Sequence, residues 1–203
     1  MQTRWQLYKV LPSFVLGFHG CDESIGESVL AGSVTHLSKS DNTYDWLGTG
    51  IYFWEANPQR AFEFASQVVK DGKVSKGKIK KPFVLGAIID LRRCFNLIDS
   101  DALLELREGS LLALSAAQAT NLRLQNKGEG LNLRYLDRAA IEAVHGFRKE
   151  KGFHEYDTVR SAFWEGQELY PSAGFREKNH IQLCVRNIDC IKGYFRPIEK
   201  YSK

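Results

Sequence analysis

No stretch of this 203-residue chain approaches the run of about 20 apolar residues that a membrane-spanning helix needs. The segment from Arg4 and Lys9 through Leu11–Phe18 imitates a signal peptide only faintly. It is short and contains Pro12, and His19-Gly20-Cys21 is a poor cleavage context. The expectation is a cytoplasmic protein without a membrane partner. Metal-ligand spacing is missing too. Cys21, Cys94, Cys184 and Cys190 form no CxxC pair and no His/Cys cluster, so reduced thiols and no metal are expected. Neither charge sign dominates. With 28 Lys+Arg against 24 Asp+Glu, the net charge of +4 permits an anionic partner without requiring one. There is no internal repeat, and no low-complexity tract apart from one lysine-rich stretch.

What remains is the composition of an ordinary globular protein, 43% hydrophobic and 26% charged. The length fits a single domain, 1–203, able to bury a core. Periodicity gives an α+β pattern. Phe14–Phe18 reads as a short buried strand, followed by a helix over 24–30 capped by Ser24 and ending near Gly32. Residues 35–45 are polar and serine-rich, a loop or short strand leading to a strand at 50–54. After Asn57-Pro58, residues 59–69 have helical spacing with Ala61, Phe64, Ala65 and Val68 on one stripe. Residues 83–89 form a continuous apolar run typical of a buried strand. Asp99 caps a helix that Gly109-Ser110 is expected to interrupt, and 136–147 is amphipathic with Ile141, Val144 and Phe147 inward. The two make a helical elaboration at about 99–150. Strand-like runs at 157–163, 181–185 and 191–195 close the chain.

Two blocks carry most of the functional information. Gly48-Thr49-Gly50 precedes the aromatic run Ile51-Tyr52-Phe53-Trp54, and Phe14–Phe18 ends on His19-Gly20. Glycines there let backbone come close to a ligand or another chain segment. A histidine at a strand end beside glycine presents a polar group next to unshielded backbone. Together the blocks describe a nucleotide-shaped cleft between the ends of two neighbouring strands. Taken singly, His19 fits a structural histidine, and Tyr52 and Phe64 fit core aromatics.

A third segment, Asn179-His180-Ile181-Gln182-Leu183-Cys184-Val185, joins these in order, and Ile188–Phe195 follows it. The ordered set His19-Gly20, Gly48–Phe53 and Gln182 resembles the ADP-ribosyltransferase superfamily, in its branch with poly(ADP-ribose) polymerases and diphtheria toxin. The resemblance covers the N-terminal third and last fifth of the chain; residues 70–175 match no part of it firmly. It implies an ADP-ribosyltransferase-like split β-sheet core with flanking helices, and NAD as co-substrate. By the same resemblance, Gly20 backbone would bond the carboxamide and His19 a hydroxyl of the adenine-side ribose. Tyr52 would flank the nicotinamide ring, with Ala61 near the amide and Phe64 as a second stacking face.

Gln182 departs from the branch's usual glutamate. A glutamine amide can accept a ribose hydroxyl bond, but it carries no charge and takes no proton from an attacking group. Chain elongation is therefore not expected, while transfer of a single ADP-ribose remains open. The missing carboxylate is sought among Arg160, Glu165, Glu168 and Glu177 in the segment before this strand, with Glu165 the foremost candidate. Asp45 and Glu55 flank the second motif.

The resemblance thus implies a mono-ADP-ribosyltransferase with catalytic His19, Tyr52, Gln182 and Glu165 and a macromolecular acceptor, protein or nucleic acid. A catalytically inactive NAD- or ADP-ribose-binding module is the alternative. RNA 2′-phosphotransfer shares the fold but needs phosphate-binding basic residues that the first motif does not show. Lys70, Lys73, Lys76, Lys78, Lys80 and Lys81 fall within twelve residues opposed only by Asp71. That stretch is either a solvated loop or a patch for a polyanion, and with Trp164 and Tyr170 it lends weight to RNA or DNA. Size and style also resemble an intracellular bacterial toxin or antiphage effector neutralised by an antitoxin or immunity protein.

Overall fold

A computed structural model describes residues 11–71 and 79–198. Its frame is a mixed sheet of seven strands: β1 Phe14–Asp22, β2 Ile51–Glu55, β3 Pro82–Asp90, β4 Cys94–Asn96, β5 Thr158–Phe163, β6 His180–Val185 and β7 Ile191–Phe195. Their order across the sheet is β4-β5-β6-β2-β1-β3-β7. Only β4 and β5 run parallel. Among the described residues four α-helices accompany it: α1 Glu23–Leu30, α2 Pro58–Asp71, α3 Ser100–Ala119 and α4 Tyr135–Glu150. The α+β class expected from periodicity is therefore observed.

Register explains how the two faces differ. Phe18 pairs with Trp54, Tyr52 with Cys184, and Gln182 with both Trp54 and Ser161, so their side chains share one face. Helices cover parts of that face. Ala61 of α2 packs on Phe18 and Trp54, while Ile141 and Val144 of α4 pack on Val159, Phe163 and Cys184. The opposite face buries Ile51, Phe53, Leu85, Ile89, Leu183 and Val185 with Val29 of α1.

The sheet is weakest between β1 and β2. Their registered pairs are Gly17 with Glu55 and Phe18 with Trp54, whereas β1 and β3 pair along nine positions. Beyond Phe18 the Tyr52 carbonyl takes its hydrogen bond from the His19 ring, Nδ1 to O 2.7 Å, rather than from a strand amide. A side chain thus replaces the ladder where the two strands part.

Several sequence expectations need correction. β1 continues through His19 and Gly20 to Asp22, so His19 lies within a strand rather than at its end. Asp22, not Ser24, caps α1; its other oxygen accepts from the backbone of Lys80 and Lys81. Gly109 does not interrupt α3. A Cβ there would come within 2.6 Å of the Ala140 carbonyl, so the glycine marks a close approach of α3 to α4. Phe147 is exposed, with the Lys151 ammonium 5.7 Å from its ring. Strand β4 was not foreseen: three residues carry too little periodicity. The last two strands lie apart, β6 in the middle and β7 at an edge. Of the lysine-rich stretch, Lys73, Lys76 and Lys78 lie outside the described residues.

Candidate functional site

A cleft of about 490 Å³ opens on the face that carries Tyr52, Trp54, His180 and Gln182. Arg60, Phe64 and Val68 of α2 line it, as do Asn42, Tyr44, Asp45 and Trp46 with Asn132 and Leu133. His19 and Glu165 complete the rim. The volume lies in the range of small-molecule sites, and the lining combines the aromatic rings of Tyr44, Trp46, Tyr52, Trp54 and Phe64 with charged, amide and imidazole side chains.

The aromatic wall is braced by polar bonds. Tyr52 Oη donates to the Gly48 carbonyl at 2.7 Å and accepts from Leu47 N–H at 2.9 Å. Burial pushes its hydroxyl well above the ordinary phenol range. Gly48 itself sits at φ +81°, backbone that favours glycine. From α4, Glu142 accepts from Thr49 N–H at 2.7 Å and from both terminal nitrogens of Arg186. Burial opposes that charge, but the bonds from Arg186 and Thr49 outweigh it and hold the carboxyl down at about 2. Trp46 donates to the Asn132 carbonyl at 2.9 Å, beneath the Arg134 guanidinium 4.8 Å from its ring.

The inner end of the cleft combines burial with unmet polarity. The Arg60 side chain is only 6% exposed, and its Nη2 pairs with Glu165 at 2.7 Å. Its Nε and Nη1 have no partner among the described residues, and neither does Trp54 Nε1. His180 is caged by Trp46, Trp54 and Phe163, with ring centroids 5.8–6.4 Å away. Its Nδ1 lies 2.7 Å from the Lys178 carbonyl. A carbonyl only accepts, so Nδ1 carries the hydrogen and neutral His180 bears a lone pair on Nε2. That Nε2 is buried and without a partner. Burial pushes the pKa of both His19 and His180 down.

The structure brings His19, Tyr52, Phe64, Glu165 and Gln182 to one cleft. Gly20 and Ala61 are elsewhere: Gly20 pairs with Val84, and the space a Cβ would need is filled by the Ala61 carbonyl. Their contact seats α2 on β1 beneath the cleft. Asp45 lines the cleft, but its carboxylate is engaged by Asn42. Glu55 and Arg160 form a bidentate pair with each other, 2.6 and 2.9 Å, and do not line it. Glu168 accepts from Ser172 N–H and Glu177 from Gln167 N–H, bracing the 165–179 loop.

Arg60, Trp46, Trp54 and His180 were not singled out from sequence. His180 had a signal: it stands two positions before Gln182, and period two puts both on one strand face. Arg60 had a weaker one, four positions before Phe64 on α2. Among the described residues, no group of three His, Cys, Asp or Glu side chains is arranged to hold a metal ion. No helix among them is long and apolar enough to cross a membrane.

Fold and site together define an α+β protein whose mixed sheet carries an aromatic cleft with a buried arginine and histidine at its inner end. An uncharacterised protein of Methanocaldococcus jannaschii is similar to it, 26% identical over an alignment 195 residues long that covers 86% of this chain and 83% of the relative. No family profile and no solved structure matches the chain.

Proposed function

We propose that the protein is an NAD-dependent mono-ADP-ribosyltransferase. It cleaves the bond between nicotinamide and ribose and transfers one ADP-ribose to a macromolecular acceptor. The observation that carries this reading is convergence. His19, Tyr52 and Gln182, whose segments resemble three ordered motifs of that superfamily, come from distant parts of the sequence and line one cleft. The parting of β1 and β2 at His19 fits the split sheet of the same superfamily.

In this reading the Tyr52 ring is a face for nicotinamide, held in place because its hydroxyl is bonded to the Gly48 loop. With Nδ1–H given to the Tyr52 carbonyl, the neutral His19 ring presents Nε2 as an acceptor, suited to a ribose hydroxyl. Gln182 lies on the same sheet face as Tyr52, where its amide can accept a hydroxyl of the ribose that loses nicotinamide. Loss of nicotinamide leaves an oxocarbenium-like ribose, as in glycoside cleavage. Glu165 is the nearby carboxylate, and its ion pair with Arg60 offsets part of its charge.

The test uses purified protein, NAD labelled in its adenylate, and a cell lysate, followed by protease or nuclease. Label fixed to macromolecule, with stoichiometric nicotinamide release, is expected. Nuclease-sensitive and protease-sensitive label distinguish the two acceptor classes. NAD binding without nicotinamide release would instead identify a catalytically inactive binding module.

A further inference from the structure

His180 is a buried group of the cleft that has no role in the transfer described above. Its packing would be served equally well by phenylalanine: three aromatic rings surround it and its side chain is 1% exposed. An unpartnered buried acceptor is destabilising relative to a satisfied one. The Nε2 lone pair bears that cost in the described structure. A phenylalanine would avoid it and lose only the bond to the Lys178 carbonyl.

We propose that His180 is the general base of the transfer reaction, with Nε2 taking the proton from the attacking hydroxyl or amine of the acceptor. This rests on the reading of the cleft as an ADP-ribosyltransferase site. Gln182 cannot take that proton. His180 precedes it by two positions and shares its face of β6, so the base stands beside the residue expected to hold the reacting ribose. The step balances simply. The acceptor oxygen or nitrogen bonds to C1′ of the ribose, and the bond from C1′ to nicotinamide breaks with its electron pair leaving on nicotinamide. The acceptor proton moves to Nε2 and later passes to solvent.

Two charged groups face the ring. Glu165 Oε2 lies 4.0 Å from Nδ1, the position from which a carboxylate favours the imidazolium formed in the step. Arg60, paired with that carboxylate from α2, opposes it. Glu165 is therefore a positioning residue, not the base. Nε2 is buried among the rings of Trp46, Trp54 and Phe163, and His180 lines the cleft.

The experiment compares wild type with His180→Phe, His180→Gln and His180→Ala in the full chain. It measures NAD affinity by calorimetry, nicotinamide release and label transfer across pH. Expected results are NAD affinity within about threefold of wild type, and transfer lower by roughly 10²–10⁴-fold in all three variants. The acid limb of the wild-type transfer profile should be absent in His180→Gln, and added imidazole should restore transfer to His180→Ala. Nitrogen NMR of the wild type at pH 7 should show neutral His180 protonated on Nδ1. Transfer within about threefold of wild type in His180→Phe, or neutral His180 protonated on Nε2, overturns the proposal while leaving the transferase reading intact. Absence of nicotinamide release from wild type overturns both.

Discussion

Tyr52 combines two demands in one side chain: a ring facing the cleft and a hydroxyl that closes the Leu47–Gly48 turn from below. Tyr52→Phe keeps the ring and removes both bonds. It should lower stability by about 1–3 kcal/mol and loosen the loop, checked by chemical denaturation. Stability equal to wild type would mean the turn holds itself. Glu165 gives a second residue-scale outcome. Glu165→Gln leaves Arg60 buried without its counter-charge. Since Glu165 is 35% exposed, the cost should fall below that of a fully buried pair, about 1–3 kcal/mol in the same measurement. At this scale what was legible in the sequence is that His19, Tyr52 and Gln182 meet at one cleft. The sequence was not legible where partners decide. Glu55 and Glu165 are both glutamates near a motif, and only pairing with Arg160 or with Arg60 separates one from the other.

At the scale of elements, two glycines govern how helices meet their neighbours. Gly20 lets the Ala61 carbonyl of α2 lie directly on β1, and Gly109 lets α3 close on α4. Gly20→Ala should destabilise by about 1–3 kcal/mol, because backbone rather than a flexible side chain must give way. Since α2 carries Arg60 and Phe64 into the cleft, the same substitution should also weaken ligand binding; a melting temperature and NAD affinity both at wild-type values would contradict this. The strand of residues 83–89 and the helix after Pro58 were readable because each has one strong period and clear punctuation. Gly109 misled because glycine in a helix signals either a break or a close crossing, and only the partner helix distinguishes them. The ends of β1 were hidden for a related reason: nothing local shows that His19 stays in register with Leu85.

For the whole molecule, three histidines carry depressed pKa values, each caused first by burial: His19, His180, and His145, which lies at about 4. Unfolded, each returns toward 6.5, so the unfolded chain binds more protons below that pH. Stability should hold above pH 6.5 and fall as pH drops through 6.5 toward 4, each unit of depression being worth about 1.4 kcal/mol. Glu142 extends the loss, from its ordinary 4.5 down toward about 2. Denaturant unfolding from pH 7.5 to 4 reads this directly, and an unchanged midpoint across that span would contradict it. The α+β class was legible in the alternation of periods, but the strand order was not. β6 and β7 are consecutive in sequence, yet the sheet separates them by β2, β1 and β3.

A cleft that breaks the bond between nicotinamide and ribose must release free nicotinamide. The most direct measurement is chromatographic release of free nicotinamide from NAD by purified wild-type protein with lysate acceptors, beside Tyr52→Ala and Gln182→Ala. Release by wild type is expected, with a loss on the order of 10–100-fold in each variant. No nicotinamide from wild type, or equal release from all three proteins, would contradict it.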